Sequence, residues 1–148
     1  MISPVFDEPL IVVEQSERTL VATDIHLGLE YELLLGGISI PSQTDKILKR
    51  ILEHVDLIKP DQLLLLGDIK HNVPRSSWQE KKEVPRFLRS LSDAVNVEVI
   101  PGNHDSNLAD MAPSGVRLRS SSGYVLDGVG YFHGHTWPEE KVVRSPLL

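Results

Sequence analysis

The chain contains no cysteine. That excludes disulfides, thiolate metal sites and cysteine nucleophiles, and it fits a reducing compartment. It has no long apolar run: nothing approaches the roughly 20 consecutive apolar residues that cross a bilayer. The opening stretch, Met1 to Glu8, lacks the basic and apolar regions of a secretory signal. These absences point to a cytoplasmic protein with no membrane partner. Basic residues are outnumbered, with 15 Lys and Arg against 21 Asp and Glu and a formal net charge of -6. Duplex-binding modules are usually basic, so the bulk charge argues mildly against one. No serine-centred nucleophile motif occurs, and there is no internal repeat, low-complexity tract or linker. The 148 residues therefore read as a single domain, 1–148, large enough to bury a core.

What the chain does have is a set of short apolar runs that end in metal-type side chains. Leu20 to Thr23 runs into Asp24-Ile25-His26, and Leu63 to Leu66 into Gly67-Asp68. Val97 to Ile100 runs into Pro101-Gly102-Asn103-His104-Asp105, and Val129 to Phe132 into His133-Gly134-His135. Each run has the length and composition of a buried strand. Laid side by side and parallel, such strands open at their C-terminal ends on one crevice, where open α/β sheets hold ligands.

Between the runs, Pro9 to Glu14 and Thr19 to Thr23 predict two strands joined by a hairpin loop. Leu27 to Leu35 predicts a short helix closed by Gly36-Gly37. Ser42 is the expected N-cap of the next helix, with Asp45 in the capping-box position. Ile47, Leu48, Ile51, Leu52 and Val55 recur at helical spacing and form its core stripe. His54 beside that stripe is expected to be a surface histidine. The leucine run shows no alternation, so both its faces should be covered. Trp78 to Asp93 predicts a helix that Pro85 kinks or divides. Ser106 to Met111 predicts one helical turn. Arg117 to Leu126 and Val129 to Phe132 predict antiparallel strands around Asp127-Gly128, a strong hairpin pair. Helices alternating with buried strands make this an α/β sandwich.

The chemistry follows from the strand ends. Two metal ions a few ångström apart clamp the attacking and leaving oxygens of a phosphate ester, and the pair needs a bridging carboxylate and further oxygen and imidazole ligands. Asp24 and His26, two positions apart in extended chain, would share a face and suit one ion. Asp68 at a sharp Gly-Asp turn suits a bridge, and the Asn103 side-chain oxygen and His133 suit the second ion. His104 is expected to face the substrate, as the group that stabilises developing charge or protonates the leaving oxygen. The one locally basic stretch, Lys70, His71, Arg75, Lys81, Lys82, Arg86 and Arg89, reads first as a solvated helix face. It is also the only local support for a nucleic-acid substrate. Lys70 and His71 read as ordinary loop residues.

In their order, Asp24-x-His26, Gly67-Asp68, Gly102-Asn103-His104-Asp105 and His133-Gly134 resemble the successive signatures of the calcineurin-like metallophosphoesterases. The resemblance covers residues 9 to 135. Thr23-Asp24-Ile25-His26-Leu27-Gly28 and Leu66-Gly67-Asp68-Ile69-Lys70-His71 resemble an archaeal and bacterial subgroup, related to the nuclease subunit of the double-strand-break repair complex and to DNA ligase-associated phosphoesterases. The resemblance implies a metallophosphoesterase-type β-sandwich flanked by helices. It also implies a hydrolase using two divalent ions, most often manganese, with iron, zinc or nickel as alternatives, and a phosphodiester or phosphomonoester substrate. The family's closing Gly-His-x-His motif is not found. One reading takes Gly134-His135-Thr136-Trp137 as a decayed copy, with His135 a ligand. The preferred reading takes His133-Gly134 as the preceding signature and the chain as shortened at its C-terminus, with Arg144 to Leu148 starting a strand that is not completed. An open sheet edge would then invite a homodimer. The competing functions are a DNA-repair nuclease-type subunit and a non-catalytic metal-binding or interaction protein that keeps the fold.

Overall fold

The computed structural model describes residues 1–146. Six strands form the main sheet in chain order: β1 (Ile2–Pro4), β2 (Leu10–Glu14), β3 (Arg18–Ala22), β4 (Gln62–Leu66), β5 (Asn96–Ile100) and β6 (Val116–Leu118). The first three pair antiparallel, and β3 to β6 pair parallel. A separate hairpin, β7 (Tyr124–Leu126) and β8 (Val129–Tyr131), makes a second, two-stranded sheet. The helices are α1 (Leu29–Leu35), α2 (Thr44–Ile58), α3 (Trp78–Ala94) and α4 (Glu140–Val143).

The leucine strand β4 shows how the layers are made. Leu63 and Leu65 face α2 and α3 in one cluster with Ile51, Val55, Phe87, Leu88 and Leu91. Leu64 faces the other way, with Val21 and Ile100, and is covered by Val129 and Tyr131 of the hairpin. All three leucines are fully buried. The result is a mixed α/β fold with α2 and α3 on one face of the central sheet and, on the other, the small sheet with α4 packed against it. No helix among the described residues is long and apolar enough to cross a membrane.

Several local expectations need correction. The fourth apolar run is not a parallel neighbour of the other three; it lies in the second sheet. Arg117 to Leu126 is not one strand but two, because Ser120 to Gly123 forms a turn with Gly123 at φ 102°, where a side chain is disfavoured. Pro85 does not divide α3. The apolar face of Val84, Phe87, Leu88 and Leu91 is fully buried, and that burial outweighs the roughly 3 kcal/mol a helical proline costs. Ser42 is not the N-cap of α2; Gln43 is, without a side-chain cap, while the Ser42 hydroxyl donates to Glu83 of α3. Strand β1 has no counterpart among the predicted elements. Arg144 caps the short helix α4, and Leu147 and Leu148 lie outside the described residues.

Candidate metal centre

The chain leaves β3, β4 and β5 at one end of the sheet, and three loops meet there. Asp24 and His26 are not in extended chain, so the same-face argument fails. Both have left-handed backbones, φ 53° and 49°, as does Asp68 at φ 53°. Asp and His are among the residues that tolerate this region, and left-handed residues concentrate at functional sites. The kinked loops are held to one another by main chain. The amides of Asp24, His26 and Leu27 donate to the carbonyls of Gly67, Asp68 and Ile69, and His71 N–H donates back to Leu27.

Two groups of ligand-type side chains result. Asp24, Asp68 and His133 have donor atoms all within 4.8 Å of one another, and so do His26, His71 and His104. Asp68 connects the groups. Its Oδ2 lies 3.6 Å from His26 Nε2 and 3.4 Å from His133 Nε2, while Oδ1 accepts the His104 amide at 2.9 Å. His26 Nε2 is also 3.9 Å from Asp24 Oδ1. Asp68 is buried, Asp24 exposed and the four histidines half-buried. Asn103 is exposed between Gly102 and His104. His135 is exposed, its ring centroid 5.5 Å from that of His133.

The imidazole tautomers suit metal binding. His133 Nδ1 sits 3.2 Å from the Leu66 carbonyl, and His104 Nδ1 contacts the His71 carbonyl. A carbonyl only accepts, so both nitrogens must donate. This turns each Nε2 toward the site, and backbone partners orient metal-ligating histidines in the same way. Burial holds His26 below its ordinary pKa against the pull of Asp68; His104 and His71 lower it further and Asp24 opposes them. A neutral imidazole is the ligating form. Among the described residues, no lysine or arginine forms an ion pair with Asp24 or Asp68. A set of imidazole nitrogens and carboxylate oxygens with no lysine or arginine paired to its carboxylates fits a divalent transition metal.

The supporting residues were largely illegible in the sequence. His71, read as a loop residue, joins His26 at 3.2 Å between Nδ1 atoms, and its Nε2 contacts Glu32 of α1. Buried Asp105 accepts the amides of Ile69, Lys70 and Gly102 at 2.8–3.1 Å and so ties two of the loops together. Burial raises its pKa against those three donors. Glu80, also buried, closes the α3 capping box with Ser77 and accepts the amides of His71 and Asn72. Lys70 is buried too, its Nζ donating to the Asn72 carbonyl. Burial lowers its pKa, opposed by Glu80, Asp105 and Asp68. The basic stretch is therefore not one surface: Lys70 points inward, and Arg86 pairs with Asp45 at 2.7 Å.

The model of the calcineurin-like phosphoesterase family matches residues 17–144. Two solved structures share the fold. A nuclease, MPE, from Pseudomonas putida is 19% identical over 86% of this chain and 63% of its own, with a TM-score of 0.50. YfcE, a phosphoesterase from E. coli, is 21% identical over 82% of this chain and 62% of its own, also at 0.50. The chain spans less than two thirds of the length of either.

Proposed function

Since the chain belongs to the calcineurin-like phosphoesterases, we propose that it hydrolyses phosphate esters with two divalent metal ions, most often manganese, held at the ends of β3, β4, β5 and β8. The observation that carries this reading is the pair of ligand groups joined through Asp68. Asp24, His26, Asp68, Asn103 and His133 would hold the ions, with Asp68 shared. His71 joins this set on the strength of its contact with His26. The bound cations would neutralise the phosphate and favour a hydroxide nucleophile at neutral pH. His104 would act as the imidazolium: its Nδ1 proton stays on the His71 carbonyl, its Nε2 proton passes to the departing oxygen, and the ring is left neutral.

The substrate is a phosphodiester or phosphomonoester, and the protein works in the cytoplasm. The similarity to a nuclease, together with the exposed cations of α3, extends the reading to nucleic acid. A homodimer is part of the same proposal, to be read from mass in solution. The deciding experiment titrates metal-stripped protein with manganese and follows hydrolysis of bis-nitrophenyl phosphate. Turnover that rises with manganese and ends with chelator supports the proposal. Absence of turnover with manganese, iron, zinc and nickel alike would sink it in favour of a non-catalytic binding protein.

A further inference from the structure

The loops that carry His71 and His104 run on into a cavity of about 500 Å³ lined by Arg75, Ser76, Lys81, Pro85, Asn107, Asp110 and Met111. Two loops build it. One carries His71 and continues to the start of α3; the other carries His104 and continues to Asn107. They are tied to each other by hydrogen bonds from Ser106 Oγ and Asn107 Nδ2 to the Pro74 carbonyl, at 3.2 and 3.3 Å.

The lining has an unusual balance for a surface whose net charge is negative. Arg75 and Lys81 are both exposed, and neither makes an ion pair among the described residues. Asp110 is the single carboxylate against them. Two unpaired cations and the Asn107 amide on the walls of one concavity are the chemistry of an anion site, and phosphate oxygens accept from these donors.

We infer that this cavity holds a second phosphate of the substrate, so that the preferred substrate is a polynucleotide strand whose backbone runs from the metal centre past His104 toward Arg75 and Lys81. This rests on the phosphoesterase reading and narrows it. A substrate with one phosphate fills only the metal centre. A strand fills both places, and the cations contribute affinity through the backbone without reading bases.

The test uses the double variant Arg75→Gln/Lys81→Gln, with a short oligothymidylate and bis-nitrophenyl phosphate as substrates. The double variant is expected to lose about tenfold in kcat/KM on oligothymidylate relative to its own rate on the small diester, the scale of one charge-assisted contact. Binding of fluorescent oligothymidylate in chelator, followed against salt, should weaken, and its logarithmic salt slope should flatten by roughly 0.7 for each cation removed. Lys81→Arg, which keeps the charge, should restore both readouts toward wild type. Equal losses on the two substrates, or an unchanged salt slope, would overturn the subsite. Wild-type protein that hydrolyses neither substrate would count against the phosphoesterase reading instead, and the chelator binding arm still decides the subsite.

Discussion

At Gly67 and Gly102 the main chain passes so close to the metal centre that a side chain has no room. A Cβ on Gly67, which also has φ 78°, would overlap the His133 imidazole, and one on Gly102 would overlap the Asp68 carboxylate and amide. Gly67→Ala should therefore displace His133 and lower manganese affinity, read by calorimetry, even in protein that still folds. Unchanged affinity would remove His133 from the ligands. Asp68→Asn should weaken metal binding further, because its carboxylate faces both ligand groups. His104→Ala separates two roles. A proton donor at that position predicts turnover reduced by roughly 10²-fold or more with metal affinity largely kept. Loss of affinity would instead make His104 a ligand, as its place with His26 and His71 allows. Asp105→Ala should destabilise by about 2–5 kcal/mol, since three buried amides lose their acceptor. Chemical denaturation would check this.

Whole elements were legible where the pattern was local. The unalternating leucines announced a strand covered on both faces, and the stripe from Ile47 to Val55 announced α2. The aspartates and histidines stood out because each follows such a strand. What stayed hidden depends on contacts between elements. His71 acquires its place only because α1 brings Glu32 to it and the β3 loop brings His26. Glu80 reads as an exposed helical charge, yet it is buried where α3 begins and caps both its own helix and the loop after β4. The helix pair shows the same dependence. Glu83 of α3 accepts from Thr44 and Ser42 at the start of α2, where the N-cap residue Gln43 makes no side-chain cap. Burial alone would raise the Glu83 pKa; hydrogen bonds from Thr44, Gln79 and Ser42, with Arg86, outweigh it and leave the value below the ordinary 4.5. A depressed folded pKa means stability that is fully present above the unfolded value and is lost as pH falls through the folded one. Glu83→Gln should thus be less stable than wild type at neutral pH, and the difference should shrink as pH falls below about 4.5. A constant difference across that range, in thermal melts, would show that the hydrogen bonds do not depend on the charge. Ser77→Ala at the α3 capping box should cost about 1 kcal/mol.

On the scale of the molecule, the metal centre is where the two sheets meet. Asp24, Asp68 and the segment from Gly102 to Asp105 follow strands of the main sheet, while His133 follows the last strand of the small one. The small sheet is otherwise attached by the apolar contacts of Val129 and Tyr131 and by Asp127, which accepts from Ser16 and Glu17 in the β2–β3 loop. Metal drawing His133 toward Asp68 and Asp24 would add a cross-link between layers that share few polar contacts. Metal binding is then folding stability by linkage, about 2.7 kcal/mol at a hundredfold excess over the dissociation constant. For a chain of this size that corresponds to a melting temperature higher by roughly 5–10 °C. Manganese should produce that rise in wild type and chelator should reverse it, while Asp68→Asn should show little of either. Hydrogen exchange should locate the effect. Protection should increase in residues 24–28, 67–72 and 102–105 of the main-sheet loops and, together with them, in residues 124–135 of the hairpin. Protection confined to the main-sheet loops would mean that the ions sit on that sheet alone and that His133 is not among their ligands.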